Sequence, residues 1–314
     1  MRSIIIRLAV CVCVLALMIS PMCFASKKPY TIAVSAAAIH HEFSLLANRG
    51  AADTLEKAGV KVIFTEAGGD DLQQVAHIEN AVQLGVDAII VHGITAEALQ
   101  GAIKTAEKAG IPVVAIDVPL TGDNVISVIS SDNYAAGLAM TRYMVGRLGG
   151  RGNIVVMYAP GIPVIDQRYT ALRTVLKDYP DIKIVAELPW RAPAYVQSSM
   201  DEMERFLRAN PKKGSVDAVW SGADMPAIGA AKAIARAKRQ DQMFIVSMDA
   251  LPEALSMIKE GPHFASTIAQ NPREMGIAAA NAALRHLDGK QVLKWTYVPF
   301  ALVTQDNVDE FLQK

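Results

Sequence analysis

Cysteine is almost missing from this chain. There are three, Cys11, Cys13 and Cys23, and none after position 23. In an oxidising compartment the rest of the chain would have no disulfide, no thiol nucleophile and no cysteine-bound metal. Histidine is also sparse, at six. The run His40-His41-Glu42 invites a metal, but adjacent histidines on a loop rarely converge on one ion, and no third ligand has metal-site spacing. Neither a metal nor a cofactor is expected. The formal net charge is zero, so nothing points to nucleic acid or to an anionic membrane surface. No Gly-x-Gly-x-x-Gly follows a strand-like segment, and no Gly-x-Ser-x-Gly nucleophile elbow is present. A low-complexity tail is absent as well.

The apolar stretch at residues 8–19 is twelve residues without a charge, short of the roughly 20 a membrane span needs. Arg2 and Arg7 precede or open it, Pro21 follows, and Cys23-Phe24-Ala25 comes next. That is the three-part form of a secretory signal peptide cleaved after Ala25, and it predicts an exported, periplasmic protein. A buried helix or an uncleaved anchor is the alternative. Lipidation at Cys23 is a variant, for which Ser20-Pro21-Met22 is a poor box. Removing residues 1–25 leaves 289, with 29 basic against 31 acidic groups. That length suits two lobes of ordinary size.

Beyond the leader, strand-like and helix-like segments alternate. Strands are expected at 31–36, 60–65, 86–91, 111–116, 125–129, 153–157, 182–187, 216–221, 243–248 and 265–269. Helices are expected at 43–58, 72–84, 96–109, 134–148, 165–178, 196–209 and 226–238. Repeated βα units imply an α/β fold with parallel sheets covered by helices. Glycines between 146 and 152 end a helix rather than cradle a phosphate. Ser131-Asp132-Asn133 reads as a helix cap, and Asn271-Pro272-Arg273-Glu274 as a capping box with Pro in the first turn.

The stretch 111–133 organises the chain. Its apolar, β-branched strand stops on a carboxylate, Asp117, where open α/β sheets bind ligands. A capping or loop-solvated acid is the other reading of Asp117. Further strand-like segments run out into polar groups: His40-His41-Glu42-Phe43, His92, Asp166-Gln167-Arg168, Asp249 and Gln270. Acids, an amide, an arginine and imidazoles at strand ends could line one cleft. Lys212-Lys213 and residues 236–239 read as solvated faces, and Met200, Met203 and Met243 as core filler.

These residues carry a likeness. Thr31-Ile-Ala-Val, the spacing to Phe43, Ile111-Pro-Val-Val-Ala-Ile-Asp117, Ser131-Asp132-Asn133, Phe244-Ile-Val-Ser-Met-Asp249 and Ser266-Thr-Ile-Ala-Gln270 resemble the periplasmic ribose-binding-protein family. The resemblance covers essentially the whole mature chain. It implies two Rossmann-like lobes with parallel sheets, the type I periplasmic binding protein architecture, joined by a hinge of three crossings near Ser131, Gln270 and Phe300. The lobes would be residues 26–131 with 271–300, and 132–270 with 301–314. It also implies a monomer that hands a sugar to an inner-membrane ABC permease.

Carried over by position, the family's pocket includes Phe43, Asp117, Arg168, Asp249 and Gln270. Carboxylates accept from neighbouring hydroxyls, guanidinium donates in a fixed fork, and Phe43 can cover the apolar face of a sugar ring. The departures are specific. His41 and His92 stand where ribose binders carry Asn; Ser44 replaces a second aromatic, Val118 an arginine and Ala223 an asparagine. The ribose pocket is therefore not preserved. Trp190 is either a second stacking ring or a surface or hinge-packing residue. Val164-Ile165-Asp166-Gln167 resembles a pocket motif of autoinducer-2 binding proteins, though Ala37 falls where they have a lysine. Asp166 therefore joins the candidates.

Three functions remain to be compared. The first is a solute-binding module without chemistry. The second is an exported sugar-acting enzyme using Asp117, Asp166 or Asp249 as acid and base. The third is a sugar-responsive transcription regulator, which would need a helix-turn-helix where the leader stands. The pocket's acids outnumber its one arginine, so a neutral monosaccharide or sugar alcohol is expected rather than a sugar acid or phosphate.

Overall fold

The computed structural model describes residues 29–39, 42–93, 95–191 and 193–312. The leader, its cysteines, His40 and His41 lie outside the described residues.

The chain opens with β1 (Thr31–Ala36), α1 (Glu42–Lys57), β2 (Lys61–Glu66), α2 (Asp71–Gln83), β3 (Ala88–His92), α3 (Ala96–Lys108), β4 (Val113–Ile116) and β5 (Val125–Ser130). It continues through α4 (Asn133–Leu148), β6 (Gly152–Met157), α5 (Pro163–Leu176), β7 (Ile182–Leu188), α6 (Tyr195–Ala209), β8 (Ala218–Ser221), α7 (Asp224–Arg236), β9 (Phe244–Asp249), α8 (Pro252–Glu260) and β10 (Phe264–Ala269). The last elements are α9 (Pro272–Leu287), β11 (Trp295–Tyr297), β12 (Ala301–Thr304) and α10 (Asp309–Leu312).

Two six-stranded sheets result, ordered β11-β5-β4-β3-β1-β2 and β12-β10-β9-β8-β6-β7. Every pairing is parallel except β10 with β12. The central strands show why. Every residue of β3 and β4 is buried, on both faces, which only a helix-covered parallel sheet allows. The edge strand β7 instead alternates, with Lys183 and Val185 turned to solvent. The alternation of apolar runs was thus a reliable guide to the sheets. β4 starts at Val113, later than the apolar run suggests, because Pro112 has no N–H to give a ladder.

The chain passes between the sheets three times. After β5 the helix α4 packs on the second sheet; after β10, α9 packs on α1 and the first sheet. From β11, paired with β5, the chain runs through Val298-Pro299-Phe300 to β12, paired with β10. Asp132 caps α4, its carboxylate accepting from the Ala135 N–H at 2.8 Å. Gly149 ends that helix in the left-handed conformation at φ 65°. The capping box at α9 does not form. Asn271 has φ −121° and ψ 73° and its side chain makes no capping bond, so only its carbonyl starts the helix. α9 lies close against α1 because Gly276 meets the Ala47 and Ala51 backbone, where a Cβ would be 1.9 Å from the Ala47 oxygen.

Candidate ligand-binding cleft

In a parallel sheet all strands end on one side. Here the carboxyl ends of β1, β3 and β4 and of β6, β8 and β9 border one cavity of about 520 Å³. Its lining includes Phe43, His92, Asp117, Arg168, Trp190, Ala223, Asp249 and Gln270, so these eight sequence candidates are brought together. His41 lies outside the described residues. Asp166 does not line the cavity. Its carboxylate accepts from the Tyr158 hydroxyl at 2.6 Å and the Gly161 N–H at 3.2 Å, so it pins the loop before α5 instead. The autoinducer-2-like motif is split accordingly: Val164 and Ile165 line the cavity and Asp166 does not.

Each acid is aimed by unusual backbone. Asp117 follows β4 in the left-handed region at φ 64°, and its N–H is held by the Ile129 carbonyl at 2.8 Å. Asp249 has φ 136° and Ala250 φ 57°. Such conformations cost roughly 1–3 kcal/mol each and persist where surrounding structure fixes them. Burial pushes the Asp117 carboxyl up to about 6; Arg168 opposes this, Asp249 adds to it, and the Ser130 hydroxyl lowers it slightly.

The polar groups form a connected chain. The Ser130 hydroxyl approaches Asp117 at 3.5 Å and accepts from the Asn133 amide at 3.2 Å. The Asn133 oxygen accepts from Arg168 Nε at 2.8 Å, and Arg168 Nη1 donates to the Gly222 carbonyl at 2.7 Å. Nη1 also lies 3.8 Å from Asp249, whose Oδ1 accepts from Gln270 at 2.8 Å. This chain runs through the first two crossings and joins the two sheets. Beneath it, Asp224 is fully buried and accepts from Ser247, from Thr267 at 2.8 Å and from the Leu251 N–H at 2.8 Å. Its carboxyl is raised, first by burial and then by the charge of Asp249.

At the end of β3, beside β4 in the first sheet, His92 Nδ1 lies 3.0 Å from the Asn48 amide nitrogen and 3.2 Å from the Ser44 hydroxyl. That amide nitrogen also donates to the Ser44 carbonyl at 2.8 Å, which fixes it as the donor. His92 Nδ1 therefore accepts, and the neutral ring carries its proton on Nε2. Phe43 meets the ring edge-on, with centroids 5.9 Å apart. Trp190 is buried against Tyr195 at 5.5 Å. Among the described residues no group of three His, Cys, Asp or Glu could hold a metal. Asn48, Asn133 and Asp224 were not among the sequence candidates.

A cleft between two doubly wound parallel sheets, entered at strand ends and crossed three times, is the architecture of a type I solute-binding protein. The family described as "Periplasmic binding protein domain" matches residues 32–291, and this chain belongs to it. The ribose import binding protein of Bacillus subtilis is 27% identical over 281 residues, covering 89% of each chain. The xylitol-binding protein of Mycolicibacterium smegmatis is 29% identical over 264 residues, covering 82% of this chain and 72% of that one. Among solved structures, an ABC transporter solute-binding protein from Agrobacterium vitis with bound allitol superposes with a TM-score of 0.85 at 31% identity, covering 91% of this chain and 99% of that one. All three relatives are named as binding proteins, two of them of import or ABC transport systems, and the family is named as periplasmic.

Proposed function

We propose that the chain is the periplasmic substrate-binding protein of an ABC importer and binds a neutral monosaccharide or sugar alcohol between its lobes. The observation that carries this is the cavity's charge inventory. Among the described residues, Asp71, Asp117 and Asp249 line it against one cationic side chain, Arg168, which is already engaged by Asn133 and Gly222. An anionic sugar would bring like charge into a water-poor cleft, where repulsion exceeds that in water. Hydroxyls both donate and accept, and so suit alternating carboxylates, amide and imidazole. The relatives named for ribose, xylitol and allitol are all of this ligand class.

On this reading Phe43, His92, Asp117, Arg168, Trp190, Asp249 and Gln270 contact ligand, Ala223 leaves room, and Asp166 holds the adjoining loop. The lobes are residues 26–131 with 271–300, and 132–270 with 301–314, and they close about the ligand by hinge motion. A monomer, freed of residues 1–25 on export, would present the closed form to an inner-membrane permease and return the ligand unchanged. A thermal-shift panel of pentoses, hexoses, polyols, sugar acids and sugar phosphates tests the ligand class. Ligand at about 100 times its Kd stabilises by roughly 2.7 kcal/mol. Shifts confined to the acidic sugars would overturn it.

A further inference from the structure

The cavity's walls differ in kind. Toward the first sheet and the second crossing stand His92, Asp117 and Gln270, with Arg168 and Asp249 completing the polar side. The facing wall of the second lobe is built from Ile162, Val164, Ile165, Trp190, Tyr195 and Met225. Val164, Ile165 and Trp190 belong to that lobe's hydrophobic core, and Ile162 and Tyr195 pack against it. The cavity thus opens onto apolar core rather than onto a polar surface. The Trp190 Nε1 is buried and has no hydrogen-bond partner among the described residues, so it does not serve this wall. The Tyr195 hydroxyl is the wall's remaining polar side-chain atom. At two positions where the ribose-type pocket is polar, Val118 and Ala223 extend the apolar lining.

A monosaccharide with hydroxyls on every edge would press one or more of them on this wall. Each one out of reach of the Tyr195 hydroxyl would leave water and gain no partner, weakening binding about tenfold or more. A methyl or methylene in the same place would strengthen binding by about fourfold per carbon. We infer that the cleft takes a sugar or polyol that bears an apolar substituent, a deoxy methyl, O-alkyl or thioalkyl group. Its hydroxyl-bearing edge lies on Asp117, Arg168, Asp249 and Gln270, and its substituent on Ile162, Ile165 and Met225. This rests on the neutral-sugar reading above and narrows it.

The test is calorimetric titration of the purified, ligand-stripped protein with D-ribose, D-allose, myo-inositol and xylitol, each beside its mono-deoxy and mono-O-methyl derivatives. At least one derivative should bind about tenfold tighter than its parent. Met225→Gln and Ile162→Asn, at partly exposed positions that accept a polar side chain, should each shrink that ratio several-fold while the melting temperature holds. Parents binding as tightly as every derivative would overturn the inference and leave the neutral-sugar reading standing. So would a ratio that survives both variants. Binding by neither parents nor derivatives would bring down both.

Discussion

Replacing Asp117 by Asn should make the empty protein more stable and the binding site worse. Asn tolerates the left-handed backbone that Asp117 adopts at φ 64°. Asp117 as a residue is 8% exposed, and burial raises its carboxyl from the ordinary 3.8 to about 6, against the pull of Arg168. Each pH unit of such displacement corresponds to about 1.4 kcal/mol, so the ionised form costs the folded state ~3 kcal/mol. The folded state holds this proton more tightly than the unfolded chain does. Below about pH 4 both states are protonated and the cost vanishes; it grows as pH rises to about 6 and is complete above that.

The amide has no such cost. Urea or thermal unfolding of the ligand-free proteins should therefore show Asp117→Asn near wild type at about pH 4, and ahead by up to ~3 kcal/mol at about pH 8. That difference corresponds to several degrees in Tm. Affinity should fall at least tenfold, because one amide oxygen replaces two charged acceptors and a donor is turned toward Arg168. A variant less stable than wild type at high pH, or an offset that does not change with pH, would refute the reasoning.

The strand-end acids were legible because a charge that closes an apolar β-branched run must leave the sheet core, and the crevice at the strand ends receives it. Asp117 and Asp249 both show it, and both face the cavity. Their positive φ was not legible, since neither residue is glycine. Asn133 read as part of a cap because its neighbour Asp132 is one; its own partner, Arg168, lies 35 residues away on the next helix of the same lobe. Asp224 falls before the helix expected at 226–238 and carries no signal of its own. It becomes a buried acceptor only when β9 and β10 bring Ser247 and Thr267 beneath it. Asp166 shared a place in a motif, but Tyr158 occupies its carboxylate. β11 and β12 have three and four residues with Pro299 between them, too short for a period to register.

Asp249→Ala should cost roughly 2–5 kcal/mol of binding energy, more than tenfold in Kd, because it strips Gln270 of its acceptor and Arg168 of its nearby charge. Calorimetric titration giving normal affinity in a folded variant would remove Asp249 from the site. Gly276→Ala should destabilise the protein by about 1–3 kcal/mol, read as a lower Tm, since the added Cβ would meet the Ala47 oxygen at 1.9 Å and the Ala51 nitrogen at 2.6 Å. An unchanged Tm would mean that α1 and α9 separate freely. Hinge closure is the remaining prediction. The candidate contacts come from both lobes, His92 and Asp117 from one and Arg168 and Asp249 from the other, so one small molecule that touches all four would tie the lobes together. The three crossings permit this, because each is a short segment outside the strands that joins elements anchored in different sheets. Bound hydroxyls would add bridges parallel to the Ser130–Asn133–Arg168 chain that already spans the first crossing. Small-angle scattering should therefore show a smaller radius of gyration with saturating ligand than without. The shift should shrink in Asp249→Ala at a ligand level that saturates wild type. Superimposable wild-type curves with and without ligand would show that the lobes do not close.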